Sequence, residues 1–350
     1  MAQITFNDVG IRAIAACVPK NIEKTESLVH LFSSDEIENV IRSTGIREKH
    51  KVSENTTSSD LCFAAAKKLL EDNNIPTSSV DILLYMSSTP DYLTPATSAC
   101  LQDRLGLLSD TLCMDLHLNC SGYIYGLSTA FAYASMLGVK RVLLLTGNAS
   151  SKLVSRNDKT MLPLIGDAGS ATLIECGDYG KSFFELGTDG RMKSAIIVPA
   201  QNGGRNPVTE ASLCEVDDAK GNKRNALQLH MDGMEIFSFA ISIEPKSLSR
   251  LLDFAGLHVE DVDLYFIHQA NKFILQTIAK KLKIPSEKMP MNIDLYGNTS
   301  SASVPLLCCT EFGGSVITKR CIMSGFGAGL SWGSCLLNLK NTKISRLVEI

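Results

Sequence analysis

Cys120 combines a reactive side chain with a position that suits covalent chemistry. It lies in the segment NCSG (119–122), after an apolar run at 111–116 and before a helix-like run at 121–137. A cysteine at the first turn of a helix faces free N–H groups and the positive end of the helix dipole, and both favour the thiolate. A buried structural role is commoner for this residue type, but the polar junction predicts a nucleophile for acyl groups.

A thiolate nucleophile needs a group that exchanges protons and donors that stabilise an oxyanion. His268, in FIHQAN, stands where a strand-like run gives way to a loop, and Asn298, in LYGNTSSAS, stands in a turn before a run of small residues. His117 lies nearer to Cys120 in sequence, but in an extended segment it points away from its apolar neighbours, and we interpret it as structural. We therefore predict that His268 and Asn298 approach Cys120.

Three segments of the first half have counterparts in the second half, in the same order. SVDILLYMSSTPD (79–91) is similar to DVDLYFIHQANK (261–272), VKRVLLLTGNAS (139–150) to TKRCIMSGFGAG (318–329), and GSATLIEC (169–176) to GSCLLNL (333–339). No single pair is convincing, but three in order predict a duplicated chain, which we divide into halves at 1–180 and 181–350. Pseudo-symmetry between the halves would bring the three polar residues toward one centre.

The elements that must position these residues alternate between strands and helices. The apolar runs ILLYMSS, TLCMDL, RVLLLTG and DLYFIH lack strict alternation, which is typical of strands covered on both faces. We expect helices at 58–73, 121–137, 231–256 and 272–283. The polar segment 199–225 is expected to be a long excursion near the mouth of the site. The pattern predicts an α/β fold.

The composition of the chain argues against several functional classes. The 350 residues are 45% hydrophobic and 20% charged, with a net charge of -3, so the chain has no overall basic field for nucleic acid. The N-terminal sequence lacks the pattern of a signal peptide, and no apolar run is long enough to cross a membrane. The eleven cysteines include no C-x-x-C pair, so we expect no structural metal site. Cysteines in apolar segments, such as Cys62 and Cys176, are expected to be buried, and the chain is expected to be cytoplasmic.

Over nearly its full length the chain resembles the ketoacyl-acyl carrier protein synthase III group of the thiolase superfamily. The resemblance is carried by STGIREKH, SDLCFAAAKKLL, NCSGYIYGL, IGDAGSATLI, MDGMEIFSFA, FIHQANKFIL, GNTSSASVPL and GFGAGLSWGS. It implies a thiolase-like duplicated αβαβα layered fold and a homodimer. The implied reaction transfers an acyl primer to a cysteine and then condenses it with a malonyl thioester, with loss of carbon dioxide. No permanently bound cofactor is implied, because acyl-coenzyme A or acyl carrier protein thioesters are the substrates.

The resemblance also assigns residues. The Cys, His and Asn of the family fall on Cys120, His268 and Asn298, and its oxyanion hole pairs the N–H of the cysteine with that of Gly329. A loop of the family that reaches the acyl pocket of the partner subunit carries Leu93 and Thr94 here. Basic residues that dock the carrier protein in family members fall on Lys280 and Lys281, in a helix where we expect Phe273 to be buried. Lysines late in a helix also serve simply to solvate it and to stabilise its negative end.

The sequence departs from the family at several positions. A Trp and an Arg that stack the coenzyme A base are replaced by Asn39 and Ser43, and a further Arg is replaced by Lys159. These changes favour a carrier-protein donor over coenzyme A. Thr94 replaces a bulky Phe, which predicts room for primers longer than acetyl.

Two alternatives to a ketoacyl synthase remain open. The first is an acyltransferase of the same fold that moves an acyl group onto an oxygen or nitrogen nucleophile, and the presence of Asn298 argues against it because acyl transfer alone needs no enolate stabiliser. The second is a non-catalytic subunit that pairs with an active homologue. The presence of Cys120, His268 and Asn298 together argues against that reading.

Overall fold

The apolar runs form the strands of a mixed sheet, and the amphipathic runs form the helices that cover it. The computed structural model describes residues 2–350. The strands are β1 (Ala2–Val18), β2 (Ile22–Lys24), β3 (Glu48–His50), β4 (Ile82–Met86), β5 (Leu112–Leu116), β6 (Arg141–Asn148), β7 (Ala168–Thr188), β8 (Ile196–Ile197), β9 (Val216–Asp217), β10 (Lys223–Arg224), β11 (His230–Met231), β12 (Leu264–Ile267), β13 (Val316–Gly327), β14 (Ser331–Ile344) and β15 (Val348–Glu349). The helices are α1 (Ser34–Thr44), α2 (Ser58–Asp72), α3 (Thr97–Arg104), α4 (Gly122–Ala134), α5 (Glu210–Leu213), α6 (Gly233–Ala255), α7 (Lys272–Leu282), α8 (Ile293–Tyr296) and α9 (Ser303–Phe312).

The main sheet shows the duplication in its pairing pattern. Its strand order is β12-β13-β14-β1-β7-β6-β4-β5, with β15 beside β1. In the first half β4 is parallel to β6, β6 is antiparallel to β7, and β7 is antiparallel to β1. In the second half β12 is parallel to β13, β13 is antiparallel to β14, and β14 is antiparallel to the end of β7. The predicted duplication and the thiolase-like α/β fold are confirmed.

The two halves share one central helical layer. α4 and α9 contribute to a core cluster that also holds strand residues from both halves, such as Leu144 and Met323. The opposite face of the first half packs on α2 and that of the second half on α6 and α7. Side chains alternate between these layers: Leu84 faces the central cluster, whereas Leu83 and Tyr85 face the α2 cluster. Continuous apolar runs therefore produce strands buried on both faces, as the sequence predicts.

The two halves meet within a continuous strand. β7 pairs with β1 along most of its length, but the register shifts between the pairs Val9–Cys176 and Asn7–Lys181. The residues that follow this irregularity pair with β14 instead of β6. The shift supports a division of the chain at 180/181, which we keep as a proposal.

The helices begin and end close to the predicted bounds, and local chemistry explains why. Thr57 is the N-cap of α2 and forms a capping box with Asp60, so Asp60 contributes to the cap from within the helix. Asp232 accepts two N–H groups at the start of α6, and Gly256 ends that helix with φ +68, a conformation that suits glycine. Among residues 2–350, no helix is long and apolar enough to cross a membrane.

Several predicted environments are wrong. β5 lies at the edge of the sheet, where Leu112 is 44% exposed, so this strand is not covered on both faces. Cys62 is buried as expected, but Cys176 is exposed, and all eleven cysteines are free thiols. Phe273 is 56% exposed and stacks on Phe237 with 5.7 Å between ring centroids.

The polar excursion at 199–225 carries short elements of its own. It contains α5 and the hairpin of β9 and β10. Gly203 lies close to Leu93, since a Cβ on this glycine would be 3.4 Å from the Leu93 side chain. The excursion therefore contacts the loop that the family resemblance links to the acyl pocket.

Candidate active site

Cys120 lies between the end of β5 and the start of α4, at the predicted strand-to-helix junction. Ser121 is the N-cap residue of α4, so the first turn of the helix follows the cysteine directly. The side chain is half-buried. β13 covers it from the other half: a Cβ on Gly327 would lie 3.0 Å from Cys120 Sγ, and a Cβ on Gly325 would lie 2.5 Å from the Cys120 carbonyl oxygen. Only glycine leaves room for the thiol here.

Burial and the helix terminus have opposite effects on the pKa of Cys120. Burial raises the pKa of the thiol to about 11, while hydrogen bonds with Ser300 and with the N–H of Cys120 act in the opposite direction. The end of a helix favours a thiolate, but here the loss of water around the sulfur is the larger effect. The resting nucleophile is therefore the thiol, because the groups at the helix terminus that favour the thiolate do not outweigh burial.

His268 follows β12 directly and is almost fully buried, with 1% of its surface exposed. Its main-chain N–H donates to the carbonyl of Ser324 on β13 at 2.8 Å, and its Nδ1 lies 2.6 Å from Ser303 Oγ. Burial lowers the pKa of the imidazole to about 3, and a hydrogen bond with the main chain of Ser300 acts against this shift. The ring is neutral at physiological pH, so it offers one N–H donor and one acceptor.

Asn298 stands in the turn between α8 and α9. Its main chain bonds to that of Leu164 and Gly166, which ties the turn to the first half of the chain. The N–H of Ser300 donates to Asn298 Oδ1 at 2.9 Å. Because a backbone N–H can only donate, this bond fixes the orientation of the amide and leaves Nδ2 to donate elsewhere.

The structure brings all three predicted residues to one centre through Ser300, which the sequence reasoning missed. Ser300 Oγ lies 3.6 Å from Cys120 Sγ, and its main chain contacts both His268 and Asn298. Ser303 was also missed, although both serines lie in the motif GNTSSAS. The sequence signal was a run of small polar residues, which alone does not say which hydroxyl points toward the sulfur.

The other predicted residues lie around this centre or away from it. Gly329 follows β13 with φ +137, and its N–H has no acceptor among residues 2–350. Leu93 and Thr94 are exposed, so in the single chain they line no enclosed pocket. His117 is exposed, has no hydrogen-bond partner on the described residues and does not join the cluster.

The lysines expected to dock a carrier protein lie in the last turn of α7. Lys280 is exposed, and Lys281 Nζ donates to the carbonyl of Ile241 on α6 at 2.7 Å. A shallow groove beside Lys281 is also lined by Lys246 and Arg250. The basic character of this face therefore extends from α7 to α6.

The residues at the positions that depart from the family pattern form contacts within this chain. Asn39 accepts a hydrogen bond from Arg42, and Ser43 donates to the carbonyl of Val40 at 3.1 Å. Lys159 Nζ lies 3.8 Å from a Glu36 oxygen and 5.5 Å from the Phe32 ring centroid. None of these contacts reproduces an aromatic–guanidinium sandwich for a nucleotide base.

Comparisons with known proteins agree with this architecture. Residues 114–190 match the family model of 3-oxoacyl-[acyl-carrier-protein] synthase III, and residues 252–339 match the model of its C-terminal part. The beta-ketoacyl-[acyl-carrier-protein] synthase III of Clostridium acetobutylicum is 32% identical, with 95% of this chain and 99% of that protein covered. The corresponding protein of Lactococcus lactis is 31% identical, with 94% and 98% covered.

A solved structure is similar over the whole chain. The 3-oxoacyl-(acyl-carrier protein) synthase from Burkholderia xenovorans has a TM-score of 0.93 and 34% identity, with 100% of this chain and 99% of that chain covered. The fold, the site and these similarities define a thiolase-fold condensing enzyme. The chain belongs to the 3-oxoacyl-[acyl-carrier-protein] synthase III family.

Proposed function

We propose that this protein makes a 3-oxoacyl thioester in two steps, with Cys120 as the acylated residue. The observation that carries the proposal is the convergence of a helix-terminal thiol with two neutral hydrogen-bond donors, His268 and Asn298, around Ser300. The proposed reaction needs no permanently bound cofactor, because the thioester substrates supply the activated carbon atoms.

In the first step the sulfur of Cys120 attacks the carbonyl carbon of an acyl thioester. A carbon–sulfur bond to Cys120 forms, and the donor thiol leaves with the proton that the cysteine lost. The oxyanion needs donors, and we propose the N–H groups of Cys120 and Gly329 for this role. Their support is that neither N–H donates to a main-chain carbonyl among the described residues.

In the second step a malonyl thioester loses carbon dioxide, and the electron pair of the broken bond passes into an enolate. The enolate carbon attacks the acyl-cysteine carbonyl, and Cys120 leaves as a thiolate. Charge develops on the thioester oxygen, where Asn298 Nδ2 and an N–H of neutral His268 can donate. Preorganised donors of this kind stabilise a transition state without reorganisation.

The same arrangement argues against simple acyl transfer to an oxygen or nitrogen nucleophile. Such a reaction develops no enolate and has no use for an asparagine whose amide is held with Nδ2 free. A non-catalytic role is also disfavoured, because a subunit without activity would not need a helix-terminal thiol held beside Ser300. The test measures the mass of the intact protein after exposure to a panel of acyl-coenzyme A and acyl-carrier donors, and then carbon dioxide release from a malonyl thioester. Acylation without malonyl-dependent carbon dioxide would favour the transferase, and absence of acylation would favour the non-catalytic subunit.

An acyl carrier protein is the donor that we propose for at least one step. Carrier proteins are acidic, and Lys280, Lys281 and Lys246 give this face a basic character although the whole chain is slightly acidic and nearby Arg250 is ion-paired with Glu185. The test replaces Lys280 and Lys281 with Glu, and the matched control replaces Lys67 and Lys68 of α2, another adjacent lysine pair.

The K280E/K281E variant should raise KM for carrier-bound substrate, most strongly at low salt, because charge attraction is screened by ions. Turnover of the same acyl group on coenzyme A should hardly change. Equal damage with both donors would assign these lysines to the fold, and equal damage in the α2 control would show a general effect of charge.

We further propose a homodimer. β5 has one unpaired edge, its residue Leu112 is 44% exposed, and Leu93 in the loop that follows β4 is 75% exposed. An open strand edge beside exposed apolar side chains is typical of an interface. Dimerisation through this edge would cover the loop of Leu93 and Thr94, which supports the expectation that this loop completes an acyl pocket. Sedimentation of the protein at several concentrations tests the assembly.

A further inference from the structure

Ser300 is the residue that links the three proposed catalytic side chains. Its Oγ lies 3.6 Å from Cys120 Sγ, and its N–H donates to Asn298 Oδ1 at 2.9 Å. Its main chain also acts on the His268 imidazole, where it opposes the lowering of the pKa by burial. Only 5% of the Ser300 surface is exposed, so these contacts are shielded from solvent.

The backbone of Ser300 has an unusual conformation for a residue with a side chain. Its φ is +54, in the left-handed region that residues with a Cβ seldom adopt. Glycine would adopt it without strain. A strained residue at a functional centre often has a role that offsets the strain, and the part of Ser300 that glycine lacks is the hydroxymethyl group next to Cys120.

The other groups around Cys120 in the described part of the chain include no positive charge that would stabilise a thiolate, so a hydroxyl donor has a role there. In many cysteine enzymes an imidazolium stabilises the thiolate, but His268 is neutral here because it is buried. No Lys or Arg forms a hydrogen bond with Cys120 among residues 2–350, where its side-chain partner is Ser300. The dipolar groups that favour the thiolate are the N–H of Cys120 and the hydroxyl of Ser300.

We infer that the Ser300 hydroxyl donates a hydrogen bond to the Cys120 thiolate and thereby sets how readily this thiol reacts. The inference rests on the proposed role of Cys120 as the nucleophile. During acyl transfer the bond would stabilise the anionic sulfur before attack and again when the condensation step expels it.

The experiment measures the rate at which iodoacetamide alkylates Cys120, by peptide mass spectrometry, as a function of pH. Ser300→Ala removes the hydroxyl and keeps the strain, whereas Ser300→Gly removes both. Both variants should raise the midpoint of the profile by about one pH unit and slow alkylation below the midpoint about tenfold, as loss of one hydrogen bond to an anion predicts. Ser301→Ala is the matched control, because Ser301 is a buried serine of the same turn that bonds to Asn148 instead. Thermal unfolding shows that each variant is folded.

Three results would overturn the inference. The first is a profile unchanged in both Ser300 variants. The second is a shift in Ser300→Gly with none in Ser300→Ala, because the change in backbone strain would then be the cause. The third is an equal shift in Ser301→Ala. Alkylation needs no acyl donor, so its result is independent of the proposed function. Acylation at a residue other than Cys120 would contradict the proposed function and leave the alkylation profiles unchanged. Normal acylation of Cys120, together with alkylation profiles that do not change in the Ser300 variants, would contradict only the inference about Ser300.

Discussion

The two junctions at the centre of the molecule occupy related positions in the two halves but are built differently. In the first half β5 leads through a short loop to Cys120 and α4. In the second half no strand corresponds to β5 within the described residues, and α8 leads through a turn with two left-handed residues, Gly297 and Ser300, to α9. The second turn is also bonded to the first half through Ile165.

This difference follows from what each junction holds. A nucleophile needs one atom at a defined position, and the end of a helix provides it, with a glycine at 327 that avoids a clash with the sulfur. Hydrogen-bond donors need a fixed direction, so the second junction uses an irregular backbone whose N–H orients the amide of Asn298. The duplication thus supplies two equivalent junctions. Local backbone conformation suits the first junction to nucleophilic attack and the second to stabilisation of negative charge.

The largest effect should come from removing the nucleophile at the first junction. Cys120→Ala should abolish covalent acyl uptake, because the other ten thiols lie outside this junction. Mass spectrometry of the intact protein measures the uptake, and thermal unfolding should be close to that of the parent chain. Covalent uptake of labelled acyl groups by the variant would show that another residue is the nucleophile.

Removal of the donor at the second junction should separate the two half-reactions. Asn298→Ala should slow condensation on the order of a hundredfold, as loss of one preorganised donor does, and should leave acyl-enzyme formation largely intact. Single-turnover measurement of each step distinguishes them. Equal losses in both steps would mean that Asn298 supports the structure of the turn and that the two junctions are not specialised in this way.

The loops that follow β4 and β12 extend the comparison, since one carries Thr94 and the other His268. Thr94→Phe should shift preference from octanoyl toward acetyl primers, because each methylene that no longer fits loses about 0.8 kcal/mol. The measurement is the ratio of kcat/KM for the two primers, with Tyr92→Phe on the same loop as the control. A parent protein that strictly prefers acetyl to octanoyl would contradict the expectation of an open pocket.

The smallest expected effect concerns the outer helices. α2 packs an apolar face on the first half, whereas α6 buries Glu244, which accepts a hydrogen bond from Ser324 beside buried Glu185. Burial raises the pKa of Glu244 from its ordinary value of 4.5 to about 8. Between these values the folded chain holds a proton that the unfolded chain has released, so the free energy of unfolding falls as pH rises through that window.

Glu244→Gln removes this titration. Relative to the variant, the parent should lose up to about 1.4 kcal/mol of stability per pH unit in that window. Denaturant unfolding at pH values from about 5 to 9 measures the difference, and exposed Glu235→Gln on the same helix is the control. A difference between parent and variant that does not depend on pH would show that Glu244 is ionised in the folded protein.

The sequence predicted the elements of the site well because their signals are local. The strand-to-helix junction at Cys120, the strand end before His268 and the turn at Asn298 each follow from apolar runs and from turn residues within a few positions. The repeated order of these runs predicted the duplication, which the strand pairing confirms. The family resemblance added roles for Gly329, Thr94, Lys280 and Lys281 that stay predictions.

Only the tertiary structure decided the chemistry of the site. The pKa of Cys120, the orientation of the Asn298 amide and the neutrality of His268 depend on burial and on Ser300, which is 180 positions from Cys120 in sequence. The same holds for the exposure of Phe273 and of the β5 edge. Sequence patterns determine which residues can form a strand, a helix or a turn, but the pKa of a side chain and the direction of a hydrogen bond depend on atoms that only folding brings close.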